Sequence, residues 1–267
     1  MQANVYKLDS TVKKSIDLPV VFDTQFRKDI VMRALLSEQS KKYQPQGRYP
    51  LAGLQTTATY MGAYGTYRTL RHVGRAIRPR QKLAAGAMGD VRRIPSATKG
   101  RRAHPQKTNK ITAEQINRKE YEKAISMAIA ATSNKKLVQE NYKYEKIQLP
   151  VVVDSEIEKI NKSRELVKVL NALGFSEVLD DSHKPAKRKG LRRLSRQRHF
   201  KSGAVIIAKD ISKLHYAGRN IPGIDVIGVE SMTVGKLAPG ANPRIAIWSE
   251  SAISDIEKGI SSSGMNR

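Results

Sequence analysis

The sequence predicts an α/β fold, a doubly wound and mostly parallel sheet with helices on both faces and a long extended basic loop. Short β-branched runs alternate with helical segments, which favours buried parallel strands covered on both sides. Between residues 44 and 110 no hydrophobic period is visible. Gly and Pro recur there every few residues, which argues against helices or strands of useful length.

The first forty residues predict a short strand pair followed by a helix. Residues 4–8 and 15–18 carry the strand pattern, and Phe26, Ile30 and Ala34 fall on one face at helical spacing. Thr24 is placed to cap the first turn of this helix.

Helical periodicity returns after the loop. Thr112 and Gln115 form a capping-box pattern that predicts a helix start, and the apolar stripe that follows includes Ile116 and Ile129. A β-branched run at residues 149–153 then predicts a buried strand.

The C-terminal half continues the alternation. Ser155 and Glu158 form a second capping box, which predicts a helix that extends to Leu173 and ends at Gly174. A brief strand is expected at residues 177–179. The remaining predicted elements are strand 204–208, helix 211–218, strand 226–229, strand 245–248 and helix 252–258.

Charge divides the chain into a nearly balanced body and two basic segments. Residues 44–110 hold fourteen Lys or Arg and one acid, Asp90, while residues 184–201 hold nine basic residues and no acid. Together they account for 22 of the net charge of +25. Unstructured connections longer than about 12–15 residues are uncommon inside compact domains. We therefore expect a globular body of residues 1–43 plus 111–267, an extended polyanion-binding loop at 44–110, and a second basic segment at 184–201.

Composition narrows the class of partner. A pI near 10.2 favours nucleic acid, with an anionic membrane as the weaker choice because no basic segment carries an apolar helical face. No apolar run has the length of a spanning helix, and residues 1–10 lack a hydrophobic signal region, so a cytosolic protein is expected. The absence of cysteine excludes disulfides and thiolate metal sites.

No catalytic residue, metal site or cofactor is predicted. The nucleotide-binding glycine fingerprints are absent, and the Gly86–Gly89 spacing is favoured as a flexible tip over a phosphate-binding turn. The five histidines show no metal-ligand spacing, and His72 and His104 are expected to contact phosphate or a base. The adjacent Asp180 and Asp181 are expected in a turn, with an acid–base role as the minor alternative.

The loop carries the strongest functional signal. Arg outnumbers Lys, and Arg presents a planar fork to phosphate and can stack on bases, while interleaved tyrosines can stack as well. The alternative is a disordered basic tail, but this segment is tethered at both ends and contains several aliphatic residues. The predicted RNA-binding residues of the loop are Arg48, Arg68, Arg71, Arg75, Arg78, Arg80, Lys82, Arg92, Arg93, Lys99, Arg101, Arg102, His104, Lys107 and Lys110.

The second basic segment lies between predicted strands, which favours a second RNA anchor over a localisation signal or a solvated surface. Its predicted RNA-binding residues are Lys187, Arg188, Lys189, Arg192, Arg193, Arg196 and Arg198.

A family resemblance rests on motifs spread in order along the chain. Residues 92–110 (RRIPSATKGRRAHPQKTNK) resemble the loop-return motif R-x-P-x-A-x-x-G-R-x-A-H-P-P-K of large-subunit ribosomal protein four, in its archaeal and eukaryotic branch. The likeness extends to residues 18–22 (LPVVF), 27–31 (RKDIV), 45–48 (PQGR), 52–53 (AG), 116–120 (INRKE), 237–240 (LAPG) and 249–252 (SESA).

The resemblance implies a structural protein of the cytoplasmic ribosome that has no membrane partner. Its body would lie on the solvent side of the large subunit, and its loop would thread through 23S-type rRNA toward the peptide exit tunnel, beside neighbouring ribosomal proteins and the nascent chain. The chain departs from the family's short G-x-G-x-G turn, since residues 62–74 read GAYGTYRTLRHVG, and Gln106 replaces a usual proline. The expected tunnel-side tip residues are Gly62, Tyr64, Gly65, Tyr67 and Arg71.

An enzyme is the alternative from a different class. An RNA-modifying or nucleotide-dependent enzyme could also combine an α/β domain with a basic RNA-binding loop. The missing glycine fingerprint after any predicted strand argues against it.

Overall fold

The computed structural model describes residues 1–142, 144, 147–183 and 202–265. The second predicted basic segment, residues 184–201, lies outside these residues. The chain divides into two compact units. We call Met1–Lys42 with Glu114–Arg267 the body, and Tyr43–Ala113 the basic unit.

The described residues form eight strands, six of them in one sheet of the body with order β2-β1-β5-β8-β6-β7. β1 and β2 pair antiparallel at one edge, and every other pairing in this sheet is parallel. The strands are β1 (Gln2–Tyr6), β2 (Val12–Asp17), β3 (Arg80–Lys82), β4 (Met88–Val91), β5 (Val151–Val153), β6 (Val205–Ala208), β7 (Asp225–Gly228) and β8 (Ala246–Ser249).

Helices cover both faces of this sheet, which confirms the predicted fold class. The alternation of side chains along each strand explains the two layers: Ile207 packs into one apolar cluster and Ile206 into the other. The first layer contains α1 (Lys28–Lys41), α2 (Arg118–Ser133), α7 (Val234–Leu237) and α8 (Glu250–Met265). The second contains α3 (Lys135–Gln139), α4 (Ser163–Ala172), α5 (Ser176–His183) and α6 (Ser212–Gly218).

Two predicted helix starts are wrong. The first helix begins at Lys28 after Arg27, with no side-chain cap from Thr24. The second begins at Arg118, well after the capping-box pattern at Thr112. Two serines of α1, Ser37 and Ser40, explain why α2 starts later than the capping-box pattern predicts. Ser37 donates to the Glu114 carbonyl at 2.7 Å, and the Glu114 amide donates to Ser40 Oγ at 2.8 Å, so this backbone is bonded outside any helix.

The helix predicted from Ser155 is interrupted. Residues Ser155–Lys159 form a short 3₁₀ helix, and α4 starts only at Ser163. The Glu158 carboxylate does not cap the local backbone. It accepts hydrogen bonds from the Lys209 amide at 2.9 Å, from Ser249 Oγ at 2.7 Å and from Ser251 Oγ. Long-range pairing at the carboxyl ends of β6 and β8 therefore replaces the local capping box.

The strand expected at residues 177–179 is helix α5, so the adjacent Asp180 and Asp181 lie on a helix and not in a turn. Val178 and Leu179 are buried in the apolar cluster of the second helix layer. An apolar run this short fits a buried helix as well as a buried strand, so periodicity alone could not distinguish the two. Gly174, with φ +86°, follows the end of α4 as predicted.

The basic unit contains short strands where none of useful length was expected. β3 and β4 pair antiparallel, with Arg80 opposite Val91, and Thr59 exchanges two backbone hydrogen bonds of 3.1 Å with Arg80. The segment predicted as a flexible tip lies in this hairpin, since Gly86 ends the turn and Gly89 is part of β4. These strands depend on backbone hydrogen bonds between segments with no regular apolar alternation, which hydrophobic periodicity cannot detect.

Candidate RNA-binding surface

The outgoing and returning chains of the basic unit run beside each other. The Arg48 amide donates to the Gln106 carbonyl at 3.1 Å, and Gly47 lies so close to Thr108 that a Cβ on the glycine would be 2.8 Å from its methyl group. Two segments that resemble family motifs, residues 45–48 and 92–110, are therefore in direct contact.

A second contact joins Gly53 to the return motif. Gly53 has φ +82°, and a Cβ there would lie 2.7 Å from the backbone of Gly100 and Arg101. Any side chain at Gly53 would be strained and would collide with the backbone. This packing fixes the position of the backbone that carries Arg101 and Arg102, both of which are exposed.

The expected tip residues belong to a closed turn of residues 61–71. The Leu70 amide donates to the Met61 carbonyl at 2.8 Å, and Arg71 Nε donates to the Gly62 carbonyl at 2.8 Å. Leu70 is 3% exposed and anchors this turn, whereas Tyr64 and Tyr67 are 86% and 81% exposed.

Each of these exposed tyrosines has an arginine over its ring. The guanidinium carbon of Arg71 lies 5.8 Å from the Tyr64 ring centroid, and that of Arg68 lies 5.3 Å from the Tyr67 centroid. A cation within about 6 Å of an aromatic ring is attracted to its face. The turn thus presents two surfaces that combine positive charge with a flat ring, the combination suited to an unpaired base next to phosphate.

The predicted RNA-binding residues of the basic unit fall into two groups. One group donates to backbone carbonyls within the basic unit and holds its shape; Arg92, for example, is 15% exposed and donates to the Thr98 carbonyl at 2.8 Å and to Asp90 at 3.1 Å. The members of this inward-bonded group are Arg68, Arg71, Arg80, Arg92 and Arg93.

The other group is exposed and forms no side-chain hydrogen bond or ion pair with the described residues. These side chains are free to contact a polyanion. They are Arg48, Arg75, Arg78, Lys82, Lys99, Arg101, Arg102, His104, Lys107 and Lys110.

The basic unit has almost no core of its own. Among its large and small apolar side chains, Ala58 and Leu70 are the buried ones. Ten of the fifteen exposed large apolar residues found in the described part of the chain lie in this unit. Exposed apolar surface at such density indicates an interaction surface.

In the body, two neighbouring tyrosines hold the residues that flank the second predicted basic segment. Tyr144 donates to Asp181 Oδ2 at 2.9 Å, and Tyr142 donates to the Ser202 carbonyl at 2.7 Å. Burial raises the pKa of both phenols, and the Asp181 carboxylate raises that of Tyr144 further. Their rings lie 6.4 Å apart, so the two flanks of residues 184–201 are held close together. Sequence reasoning missed this arrangement, because the partners are 37 and 60 residues apart.

Two searches of the described residues bear on metal binding and on membrane-spanning helices. The described residues contain no group of three or more His, Cys, Asp or Glu that could hold a metal ion. Within the same part of the chain, no helix is long and apolar enough to cross a bilayer.

An α/β body joined to a basic unit that exposes arginine and tyrosine defines a nucleic-acid-binding class of protein. Comparison with known proteins narrows this class. Residues 16–259 match the model of the ribosomal protein L4/L1 family. The chain therefore belongs to the ribosomal protein L4/L1 family, in its archaeal branch.

Its archaeal relatives carry the name large ribosomal subunit protein uL4. The protein of Methanocaldococcus jannaschii is 36% identical over 262 residues, which cover 97% of this chain and 99% of the relative. That of Archaeoglobus fulgidus is 35% identical, covering 95% of this chain and 97% of the relative. That of Haloquadratum walsbyi is 34% identical, covering 96% and 99%. The resemblance expected from the motifs is confirmed.

Proposed function

We propose that this chain is a structural constituent of the large ribosomal subunit that binds large-subunit rRNA through its basic unit and supports subunit assembly. One observation carries the proposal: a family match across most of the chain coincides with a unit that exposes arginines and tyrosines around two buried apolar side chains. As part of the ribosome, the protein works in the cytoplasm.

The mechanism is charge neutralisation combined with shape. RNA segments repel one another through their phosphates, and the exposed arginines and lysines of the basic unit offset this repulsion where two segments approach. The inward-bonded arginines hold the backbone of the basic unit in the shape that exposes these other arginines and lysines. Tyr64 and Tyr67, each with its arginine, supply stacking surfaces for unpaired bases.

We further propose that the closed turn of residues 61–71 lies toward the peptide exit tunnel, near neighbouring ribosomal proteins and the nascent chain. The resemblance of the flanking motifs supports this placement. We propose no catalytic role, since the family is one of ribosomal proteins and gives no support to an RNA-modifying or nucleotide-dependent enzyme.

The test is co-sedimentation from a high-magnesium lysate on a sucrose gradient. Full-length tagged protein should migrate with large subunits and whole ribosomes. A variant with residues 44–110 replaced by a short Gly/Ser linker should remain largely in the upper fractions. Full-length protein that stays free, or that migrates with small subunits, would refute the proposal.

A further inference from the structure

A basic aromatic surface on the body is formed by residues that belong to neither of the two basic segments, 44–110 and 184–201. Tyr216 is 58% exposed and is the only aromatic side chain among the exposed large apolar residues of the described body. The guanidinium carbon of Arg219 lies 5.0 Å from its ring centroid, and the His215 ring lies edge-on at 6.2 Å. This is the same pairing that Arg68 with Tyr67 forms in the basic unit.

Helix α4 adds two cations to this surface. α4 and α6 pack side by side over the same face of the sheet, so closely that a Cβ on Gly218 would lie 3.8 Å from Leu166 Cδ2. Leu166 and Leu170 face the core, so helical geometry directs Arg164 and Lys168 outward. In α6 the buried Leu214 and Ala217 direct Tyr216 outward in the same way, and Arg219, which follows the helix directly, lies on the same side; all four outward residues are exposed.

These cations are not neutralised within the described protein. Arg164, Lys168 and Arg219 form no ion pair with any residue in the described ranges. The acid of α4, Glu165, lies 3.5 Å from Lys162, and on α5 the Asp181 carboxylate accepts from Tyr144. On the other helix layer, by contrast, Arg33 pairs with Glu120 and Arg118 with Glu122.

We infer that the outward surface of α4 and α6 is a further RNA-contact site, which binds phosphates through Arg164, Lys168 and Arg219 and stacks an unpaired base on Tyr216. The inference rests on the proposed function, because it takes the partner to be large-subunit rRNA. RNA is favoured over a protein partner because the outward sides of α4 and α6 carry three cations without an ion pair to the described residues, and Tyr216, with Arg219 over its ring, is the one exposed large apolar side chain on these two helices, so the surface lacks the apolar centre that protein interfaces use.

One experiment identifies the partner directly. Tyr216 is replaced by the photo-crosslinker p-benzoylphenylalanine in the full chain, large subunits are purified, and the crosslinked species are analysed after irradiation. A crosslink to rRNA supports the inference. A crosslink to a ribosomal protein, or none, overturns it. If the protein is absent from large subunits, the proposed function fails instead, so the two failures are distinguishable.

A matched pair of charge variants measures how much the surface of α4 and α6 contributes to rRNA affinity. Arg164→Glu/Lys168→Glu/Arg219→Glu changes the surface, and Lys28→Glu/Lys119→Glu/Lys123→Glu makes the same charge change at exposed positions of the other helix layer. The slope of log affinity for rRNA against log salt should become shallower by about 2 in the first variant, since each lost phosphate contact removes about 0.7. Equal slopes in the two variants would show that only net charge matters, which contradicts a local site.

Discussion

Arg244 and Asp225 form an ion pair at the amino ends of the parallel strands, with Arg244 Nη1 2.5 Å from Asp225 Oδ2. The arginine side chain is 2% exposed, and it also donates to the carbonyls of Gly203, Ala204 and Gly223 at 2.9–3.0 Å. One buried guanidinium thus joins the residues that lead into β6 and β7 to its own position just before β8. Its planar fork of five donors suits this task, which an ammonium could not perform.

Arg244→Ala should lower the free energy of unfolding by about 3–5 kcal/mol, because it removes the buried ion-pair partner of Asp225 and one hydrogen-bond donor from each of three backbone carbonyls. Urea denaturation of the full-length protein, followed by circular dichroism, measures the change. The control is Lys236→Ala. Lys236 also contacts Asp225, at 2.8 Å, but its side chain is 48% exposed, so its loss should cost about 1 kcal/mol or less. Similar losses in both variants would contradict the role assigned to Arg244.

The same pair should make stability depend on pH in the acid range. Burial raises the pKa of Asp225, but hydrogen bonds and charge from Arg244 and Lys236 outweigh it, so the pKa lies below its ordinary value. A carboxyl whose pKa is lowered by folding stabilises the folded state above its unfolded pKa of about 3.9, and that stabilisation is lost as pH falls through the folded pKa. Between pH 5 and pH 2, wild type should therefore lose more stability than Asp225→Asn. Parallel pH profiles of the two proteins would refute this.

The basic unit should exchange its amide hydrogens rapidly in free protein. Two buried apolar side chains cannot offset an ordering cost of roughly 1–2 kcal/mol per residue, so the unit is expected to become ordered on RNA. Hydrogen exchange with mass spectrometry should show fast exchange across residues 51–107 and strong protection in β6 and β8. Strong protection of residues 51–107 without RNA would contradict the prediction.

Affinity for rRNA should fall steeply with salt, and most of that dependence should come from the basic unit. Each neutralised phosphate contributes about −0.7 to −0.9 to the log–log slope. Replacing residues 44–110 by a linker should make the slope shallower by several units and leave the thermal unfolding of the body in place. If the deletion leaves the slope unchanged, the main RNA contact lies outside residues 44–110.

Arginine geometry should matter at four positions even when charge is kept. Arg92→Lys/Arg93→Lys should loosen the unit, because Arg92 bonds both Asp90 and Thr98 and Arg93 donates to Ala58. Arg101→Lys/Arg102→Lys should weaken RNA contact directly, since an ammonium cannot hold two phosphate oxygens in a fork. Combined, the four changes should reduce the yield of large subunits that contain the variant.

The matched control for this set is Lys187→Arg/Lys189→Arg/Arg193→Lys in the second basic segment, where a milder effect is expected. Wild-type yield from the quadruple Arg→Lys variant would show that charge alone suffices at residues 92, 93, 101 and 102.

Sequence by itself determined the features that depend on local pattern and on charge. β-branched runs predicted β5, β6, β7 and β8 close to their positions, because strands buried on both faces need continuous apolar residues. The charge count separated residues 44–110 from the body, and motif order indicated the family that the comparisons confirmed.

Only the tertiary structure decided which hydrogen-bond partners the polar side chains have. Glu158 looked like a local cap, yet it bonds Ser249 and Ser251 more than ninety residues away in sequence. Arg92 and Arg101 look alike in the basic run, yet one is bonded inward and the other faces solvent. No sequence pattern links Tyr216 with Arg164, and they share a surface only because α6 packs beside α4. The physical reason is common to all: a local pattern reports the free energy of nearby residues, whereas hydrogen bonds and packing depend on which segments the fold brings within a few ångströms.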